Sequence, residues 1–236
     1  MICYAKLNIP FDIEGIREEI SEVLNSDKWI AHFNKRDYDG DWHILPLRSP
    51  GGLENNPFAD LINQNHYENT ALLNNLPVTK NILNTFKCEI QSVRLLNLKA
   101  GAVIKQHRDH ELAFENGEAR LHLPIFTNND VEFYVDDERV IMPEGSCWYI
   151  NANLPHRVAN YGESDRIHLV IDCKVSDWME GIFDKAEKRT REEKLNVEEL
   201  NLIIQSLRLQ NNPVSEHYAN ELENTLKNYL ASIALN

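Results

Sequence analysis

The sequence predicts a mainly β fold with helices on either flank, and the spacing of its apolar and turn residues carries that prediction. Between Cys88 and Asp172, short runs with β-strand character alternate with turn residues. Strands this short, separated by turns at this spacing, are typical of an antiparallel sandwich or barrel rather than of βαβ units. Before and after this region, apolar residues recur at helical spacing instead.

The N-terminal part is predicted to consist of helices and loops. A first helix is predicted over Asp12–Ser26, because its first residue can serve as N-cap and apolar residues follow at helical spacing. Those residues are Ile13, Ile16, Ile20, Val23 and Leu24. Turn signals at Asp39-Gly40-Asp41 and Pro50-Gly51-Gly52 predict that Lys28–Pro57 is an irregular connector or a lid. A further short helix is predicted over Pro77–Phe86.

The central region is predicted to hold seven strands, bounded by Gly, Asn, Asp and Pro. They are Ser92–Leu98, Arg120–Thr127, Val131–Val135, Glu138–Met142, Ser146–Ile150, Arg157–Asn160 and Arg166–Asp172. The sequence contains no glycine-rich phosphate loop of either nucleotide-binding type. An ATP or NAD site is therefore not expected.

Beyond Asp177 the pattern is helical again. A strongly charged stretch, Glu180–Lys194, precedes two amphipathic helices predicted over Val197–Leu209 and Ser215–Leu235. Such a helical hairpin would either cap the barrel or form a homodimer contact. We therefore divide the chain into one domain over residues 1–178 and a C-terminal helical extension over 179–236. The first comprises a helical and loop part (1–87) and a β core (88–178).

Composition and charge disfavour several classes of protein. Lys and Arg number 24 against 37 Asp and Glu, giving a net charge of −13, and a surface this acidic is a poor match for nucleic acid or anionic lipid. No apolar run approaches the roughly 18 residues of a membrane-spanning helix, and no secretion signal follows Met1. The four cysteines form no CxxC pair. We expect a cytoplasmic protein with reduced thiols and no nucleic-acid or membrane partner.

One group of residues carries a chemical signal. In His107-Arg108-Asp109 an extended backbone would turn His107 and Asp109 to the same side, and His156 follows 156 − 107 = 49 residues after the first histidine. A His-x-Asp pair alone is usually a surface feature. Two imidazoles and one carboxylate on one face of a metal are, however, the ligand set of non-haem Fe(II) oxygenases, and they leave coordination positions open.

Arg166 extends this group, because it opens an otherwise apolar strand. A buried guanidinium needs a partner, and a carboxylate that pairs with it in bidentate fashion is the natural one. 2-Oxoglutarate offers such a carboxylate at one end and a metal-chelating 2-oxo acid at the other. His110 and His168 are competing ligands, but on extended segments His110 points away from His107 and His168 shares a face with Arg166.

The residues alone leave alternatives open. Arg120 and His122 alternate with leucines, so this polar pair faces either the barrel interior or solvent. A cupin-like module could bind a metal or another ligand without catalysis, and a zinc-dependent hydrolase could use the same three ligands with a bound water. Arg166 argues against the hydrolase, which has no need of a buried carboxylate clamp.

Five stretches, taken in order, carry a resemblance to a known family. They are His107–Asp109, Arg120–Ile125 with Thr127-Asn128, Gly145–Asn151, His156–Asn160 and Arg166–Asp172. Together they resemble the aspartyl/asparaginyl β-hydroxylase family of Fe(II)/2-oxoglutarate-dependent dioxygenases, which includes bacterial hydroxylases of free proline. The resemblance covers roughly Trp42 to Asp172 and does not extend to the C-terminal helices.

The resemblance implies a double-stranded β-helix, a jelly-roll or cupin-like core, within a dioxygenase domain over residues 1–178. It implies Fe(II) and 2-oxoglutarate as cofactors and O₂ as co-substrate. The implied iron ligands are His107, Asp109 and His156; the implied co-substrate contacts are Arg166, His122 and Arg120.

The resemblance also implies an amino-acid-type substrate, hydroxylated at an unactivated C–H while 2-oxoglutarate is decarboxylated to succinate. A free amino acid such as proline and an Asp or Asn residue of a peptide both fit. Asp109 places the chain nearer the bacterial small-substrate members, because the vertebrate protein hydroxylase lacks this aspartate. Arg48, in the segment that resembles the family's entrance, and Arg120 are candidates to pair with a substrate carboxylate. Trp42 is a candidate to close over the substrate.

Overall fold

The computed structural model describes residues 1–56, 66–109, 112–192 and 196–234. The chain forms two compact units, Met1–Arg191 and Glu192–Asn236. In the first unit, the described residues build two antiparallel sheets flanked by helices, so the predicted mainly β architecture is confirmed.

The strands of the first unit are numbered in chain order. They are β1 (Ile2–Leu7), β2 (Ile30–Ala31), β3 (Tyr38–Asp39), β4 (Trp42–Pro50), β5 (Tyr67–Asn69), β6 (Ile90–Leu98), β7 (Val103–His107), β8 (Glu118–Phe126), β9 (Val131–Val135), β10 (Glu138–Arg139), β11 (Cys147–Ile150), β12 (His156–Asn160), β13 (Arg166–Lys174) and β14 (Glu187–Thr190). Its helices are α1 (Ile13–Val23), α2 (Ala71–Asn74), α3 (Pro77–Leu83) and α4 (Asp177–Phe183).

The two sheets have different neighbours. The larger runs in the order β14-β1-β11-β8-β13-β6-β4-β2, with β5 also paired to β4, and the smaller runs β10-β9-β12-β7-β3. One apolar cluster joins the sheets, for example Leu98 and Val170 of the larger with Ile104 and Phe133 of the smaller. A second cluster packs the opposite face of the larger sheet against the helices. The larger sheet is therefore covered on both faces, and the space between the sheets is the barrel interior.

Local sequence signals set several of these elements. Asp12 caps α1 by accepting a hydrogen bond from the Gly15 amide at 3.0 Å, which confirms the predicted helix start. The seven predicted strands appear as β6 and β8–β13, although the one predicted over Glu138–Met142 is limited to Glu138–Arg139. The helix predicted over Pro77–Phe86 is α3.

The prediction of an irregular connector over Lys28–Pro57 is wrong for its second half. β4 lies inside the larger sheet, with Trp42 opposite Leu98 and the pairing shifted between Pro46 and Arg48. Prolines within the segment hide a strand from periodicity analysis, because proline is normally confined to strand edges and irregularities. Trp42 and Arg48 are consequently held by the sheet and do not lie on a loop that closes as a lid.

Six strands besides β4 have no counterpart in the sequence prediction: β1, β2, β3, β5, β7 and β14. β1 and β7 are short, and β14 lies within the charged stretch Glu180–Lys194 that was predicted to be helical. All four residues of β14 are exposed, and the strand pairs with β1 at the edge of the larger sheet. Its charged side chains suit an edge strand, because they discourage pairing with other chains.

The second unit is a pair of helices, α5 (Val197–Leu209) and α6 (Pro213–Ala234). Both were predicted, and α6 begins at Pro213, where proline suits the first helical turn. The buried residues between them are Ile204, Ala219 and Leu226. No helix among the described residues is both long and apolar enough to span a membrane. The homodimer contact through these helices stays a prediction.

Candidate metal centre

The two histidines of the predicted ligand set are neighbours across the smaller sheet. β7 ends at His107 and β12 begins at His156, and antiparallel pairing sets these residues directly opposite each other with ring centroids 4.2 Å apart. Asp109 follows two residues later, and its amide donates to the Ala152 carbonyl at 2.9 Å. One possible ligand atom from each of the three side chains lies within 4.8 Å of the others. The fold thus brings the predicted set together at metal-binding spacing.

Both imidazoles are oriented by the backbone. His107 Nδ1 lies 2.8 Å from the Lys105 carbonyl and His156 Nδ1 lies 3.0 Å from the Leu154 carbonyl. A carbonyl accepts only, so each Nδ1 carries the proton and each Nε2 keeps its lone pair for a metal. Burial, together with the neighbouring His107, lowers the pKa of His156 to about 4, so this imidazole is neutral at neutral pH.

Asp109 completes the donor set as a carboxylate. Burial would raise its pKa, but the charge of Arg120 and the hydrogen bond that Arg120 donates help to outweigh burial, and the pKa lies below its ordinary value. Arg120 Nη1 donates to Asp109 Oδ2. Two imidazoles and one ionised carboxylate fit Fe(II), which accepts nitrogen and oxygen donors in this combination.

Arg120 links the metal centre to a buried charge cluster. Its Nε donates to Asp172 Oδ1 at 2.7 Å and its Nη2 to Asp172 Oδ2 at 3.0 Å, while its Nη1 holds Asp109. Arg94 Nη2 and Ser92 Oγ also donate to Asp172. Two arginines and two aspartates therefore balance in charge, and this balance permits their burial between the sheets.

The cluster fixes its own ionisation. Burial alone would raise the pKa of Asp172, but the charges of Arg120 and Arg94 outweigh it and hold the pKa well below its ordinary value. Burial would likewise lower the pKa of Arg120, and the charges of Asp172 and Asp109 raise it instead. At neutral pH all of these groups are charged. Arg120 was predicted to contact a bound carboxylate; three of its N–H groups are engaged by these two aspartates.

Arg166 is a buried cation that lacks an anionic partner among the described residues. It is 1% exposed, its Nη2 lies 2.8 Å from His168 Nδ1, and its Nε has no hydrogen-bond partner in the described part of the chain. Burial lowers its pKa to about 9. It lines the same cavity as His107, Asp109 and His156. Burying a cation without an anionic partner is energetically costly, so the site fits a carboxylate ligand beside the metal.

Two further histidines lie between Arg166 and the metal centre. His122 is buried and lines the metal cavity, and its Nδ1 is 3.4 Å from His168 Nδ1. Burial and the charge of Arg166 lower the pKa values of both well below the ordinary range, so both imidazoles are neutral. His168 faces Arg166, as the alternation of β13 predicts. The competing ligand His110 lies outside the described residues.

Trp42 lines the metal cavity, and an aromatic stack supports it. The His32 ring lies parallel to Trp42 at 3.5 Å between centroids, and Tyr38 meets Trp42 edge-on at 5.7 Å. Trp42 Nε1 is buried without a hydrogen-bond partner in the described ranges. Burial and the charge of Arg94 lower the pKa of His32 to about 4, so this imidazole is neutral.

Arg48 does not join the site. Its Nε donates to the Ile90 carbonyl at 3.0 Å and its Nη1 to Asn69 Oδ1 at 2.8 Å, and it lines a separate cavity beside Cys88. The bulge of β4 at Pro46 precedes this position. The predicted contact between Arg48 and a substrate carboxylate at the metal has no support in this geometry.

Sequence reasoning missed the roles of Arg94, Asp172 and His32. The first two could have been found from alternation, since polar residues recur at every second position on three adjacent strands. These are Ser92 and Arg94 on β6, Arg120 and His122 on β8, and Arg166, His168 and Asp172 on β13. His32 follows a two-residue strand and gives no such signal.

Comparison with known proteins agrees with this geometry. Residues 11–175 match the family model of aspartyl/asparaginyl β-hydroxylase. The chain belongs to that family. The chain also aligns with L-proline cis-4-hydroxylase of Rhizobium meliloti, at 26% identity over 76% of this chain and 64% of the relative. L-proline cis-3-hydroxylase 1 of a Streptomyces species is 32% identical over 63% of this chain and 51% of the relative.

The chain thus spans about one half to two thirds of the length of these curated relatives. Among solved structures, the non-haem α-ketoglutarate-dependent epimerase SnoN superposes with a TM-score of 0.47 at 12% identity, over 73% of this chain and 77% of that one. So distant a likeness adds nothing to the family assignment, which depends on the matched residues.

Replacing Asp172 by asparagine tests the charge cluster. The change leaves Arg94 and Arg120 buried with one carboxylate fewer, and we expect it to lower the free energy of unfolding by about 3–5 kcal/mol in urea titrations at pH 7. The depressed pKa of Asp172 means that its contribution is present above the unfolded pKa and is lost as pH falls, so the difference should shrink below about pH 4. Glu89→Gln, which breaks the exposed pair with Lys174, is the matched control and should leave the midpoint unchanged. Equal midpoints for both variants would contradict the assigned role.

Replacing His156 by alanine tests the ligand set. We expect affinity for Fe(II), measured by anaerobic equilibrium dialysis, to fall by about 100-fold or more, since even residues behind the ligands cost 10–100-fold. His217→Ala on α6 removes an exposed histidine and should leave the affinity unchanged. Retention of wild-type affinity by the His156 variant would show that the metal is bound elsewhere.

Proposed function

We propose that this chain is an Fe(II)- and 2-oxoglutarate-dependent dioxygenase that hydroxylates a C–H bond of a small amino-acid-type substrate. The observation that carries the proposal is Arg166, a buried guanidinium without a carboxylate partner in the described residues, which shares a cavity with the three metal-ligand candidates. Metal binding alone would not require such a cation. A ligand that chelates the metal and presents a carboxylate to Arg166 uses both features.

The proposed assignment of residues follows the cavity. His107, Asp109 and His156 would hold the iron, and Arg166 would pair with the distal carboxylate of 2-oxoglutarate. When bound, Fe(II) and 2-oxoglutarate would supply the oxidising chemistry that uses O₂ to convert C–H to C–OH, releasing succinate and CO₂. His122 would donate or accept a hydrogen bond at the metal-binding end of the co-substrate as a neutral imidazole.

The protein's own contribution would be to orient ligands and exclude water. Arg120 would hold Asp109 in one orientation through its Nη1, while Asp172 holds Arg120. Apolar side chains complete the wall of the cavity; they include Leu96, Ile104, Phe133, Ile150 and Val158. A dry cavity strengthens the pairing of Arg166 with a carboxylate, because charges interact more strongly at low dielectric.

A free amino acid is the favoured substrate class. Two aligned relatives are named proline hydroxylases, and Trp42, which lines the metal cavity, has its Nε1 donor buried without a partner in the described residues. A buried donor without a partner lowers its free energy when it binds an acceptor such as a carboxylate, because leaving the donor unpaired costs free energy. An Asp or Asn residue of a peptide remains the alternative substrate. Cytoplasmic location and the absence of nucleic-acid and membrane partners stay predictions.

Two rival functions differ in what they leave unexplained. A zinc-dependent hydrolase would use the same three ligands, and a non-catalytic cupin-like module would bind a metal or ligand without turnover. The hydrolase gives the Arg166 guanidinium no anion, and the module differs from the proposed enzyme in having no turnover. Tight zinc binding with no 2-oxoglutarate binding would favour the hydrolase, and binding of both without succinate release would favour the module.

Replacing Arg166 by methionine tests the co-substrate site. The methionine keeps much of the side-chain volume and removes charge-assisted hydrogen bonds, so we expect the Kd for 2-oxoglutarate with Fe(II) under anaerobic conditions to rise about 10- to 100-fold. Arg157→Met removes an exposed arginine that stacks on Tyr134, and should change neither 2-oxoglutarate nor metal affinity. An unaltered Kd in the Arg166 variant would reject the assigned clamp.

A substrate screen tests the activity itself. We expect one or more free amino acids, L-proline among the first to be tried, to gain one oxygen by mass spectrometry with one succinate released per product. Omission of Fe(II) or 2-oxoglutarate should abolish both signals. Modification confined to Asp- or Asn-containing peptides would move the proposal to the peptide alternative, and no modification with tight binding of both cofactors would favour the binding module.

A further inference from the structure

A second cavity, called the far cavity below, adjoins the metal cavity at Arg166 and Phe133. It encloses about 650 Å³, whereas the cavity at the metal encloses about 40 Å³. Its walls come from the turn after β8, from β9, and from the segment between β10 and β11. The two cavities share two wall residues, Phe133 and Arg166.

Strand register places the far cavity beyond the Arg166 end of β13, whereas Arg120 and Asp109 of the metal cavity lie at the Asp172 end. β13 begins at Arg166, and six residues later Asp172 pairs with Arg120, which holds Asp109. Six residues of extended chain span about 20 Å. The far cavity is lined by Thr127–Asn129, which follow the end of β8 beside Arg166 rather than beside Asp172.

The far cavity is open at its rim and buried at its floor. The rim residues Asn129, Pro143 and Glu144 are exposed, and Ile141 is 72% exposed. The floor consists of buried side chains that include Phe133, Met142, Arg166 and His168. A solute could therefore reach the Arg166 guanidinium from this side without passing the metal.

The charges along this path favour an anion. Arg139 lies at the rim and Arg166 at the floor. The carboxylate of Glu144, the acidic residue of this lining, is engaged by Arg17 and by the Thr127 amide at 2.7 Å. Arg139 is itself paired with Glu132 at 4.0 Å, so Arg166 at the floor is the cation of this lining without an acidic partner in the described residues, and it attracts anions on a chain with a net charge of −13.

We propose that the far cavity is a second entrance to Arg166, through which the dicarboxylate co-substrate reaches its site and its dicarboxylate product leaves. The proposal rests on the proposed function, because it takes 2-oxoglutarate as the ligand of Arg166. The cavity at the metal, at about 40 Å³, is far smaller than the far cavity at about 650 Å³. The far cavity supplies the space that a five-carbon diacid needs to approach the guanidinium.

A blocking experiment separates the two routes. In a Cys88→Ser background, which removes the one cysteine that is not buried, Asn129→Cys places a thiol at the far rim. Phe33→Cys places one on the aromatic stack that borders the metal cavity, where Phe33 is 52% exposed. Leu209→Cys on α5 is the remote control at 85% exposure. Each folded protein is compared before and after reaction with a bulky maleimide, so that folding defects cannot imitate the effect.

The readout is the association rate of radiolabelled 2-oxoglutarate with the Fe(II)-loaded protein under anaerobic conditions. We expect labelling at position 129 to slow association and dissociation together by about tenfold or more, with Kd little changed, since obstruction of a route alters rates. Labelling at positions 33 and 209 should leave the rates unchanged. An unchanged rate after labelling at 129, or slowing after labelling at 33 alone, would overturn the second entrance. Absence of 2-oxoglutarate binding by every unlabelled protein would reject the proposed function and the entrance with it.

Discussion

Charge balance within the barrel interior is the constraint on which the site depends. Asp172 receives Arg94 and Arg120, and Arg120 passes the interaction on to Asp109, so no charge in this cluster is buried alone. Both aspartates are needed to stabilise the cluster, because removal of either would leave an arginine uncompensated at low dielectric. The same arrangement keeps Asp109 ionised and oriented, so structural stability and metal binding depend on the same hydrogen bonds.

Arg166 shows the opposite arrangement. The protein buries this guanidinium without a carboxylate in the described residues and tolerates the lowering of its pKa to about 9. The two buried charged residues of β13 thus differ: Asp172 has partners within the chain, and Arg166 has no anionic partner in the described residues. That difference distinguishes the part of the interior that would support the metal from the part that we propose binds a co-substrate.

The sequence alone could predict the candidate ligand set, because the residue types and their alternation are visible within short segments of the chain. His107 and Asp109 alternate on an extended segment, and Arg166 stands out in an apolar strand. The charge cluster could not be predicted, since the contact between Arg120 and Asp172 depends on the register of β8 with β13, which is set by pairing between residues far apart in the chain. β4 was not predicted, because prolines interrupt its pattern. Without this strand, the separation of Trp42 and Arg48 in space could not be predicted either.

The anchoring of both imidazoles has a further effect on metal selection. Because backbone carbonyls hold His107 and His156, the two rings keep their orientation whether or not an ion is present, and binding requires little reorganisation. A rigid set of two nitrogens and one oxygen follows the general order of divalent affinities, in which nickel and copper exceed iron. The ion recovered with the purified protein therefore reflects the metals that the expression host supplied, and reconstitution under reducing conditions becomes a prerequisite for assay.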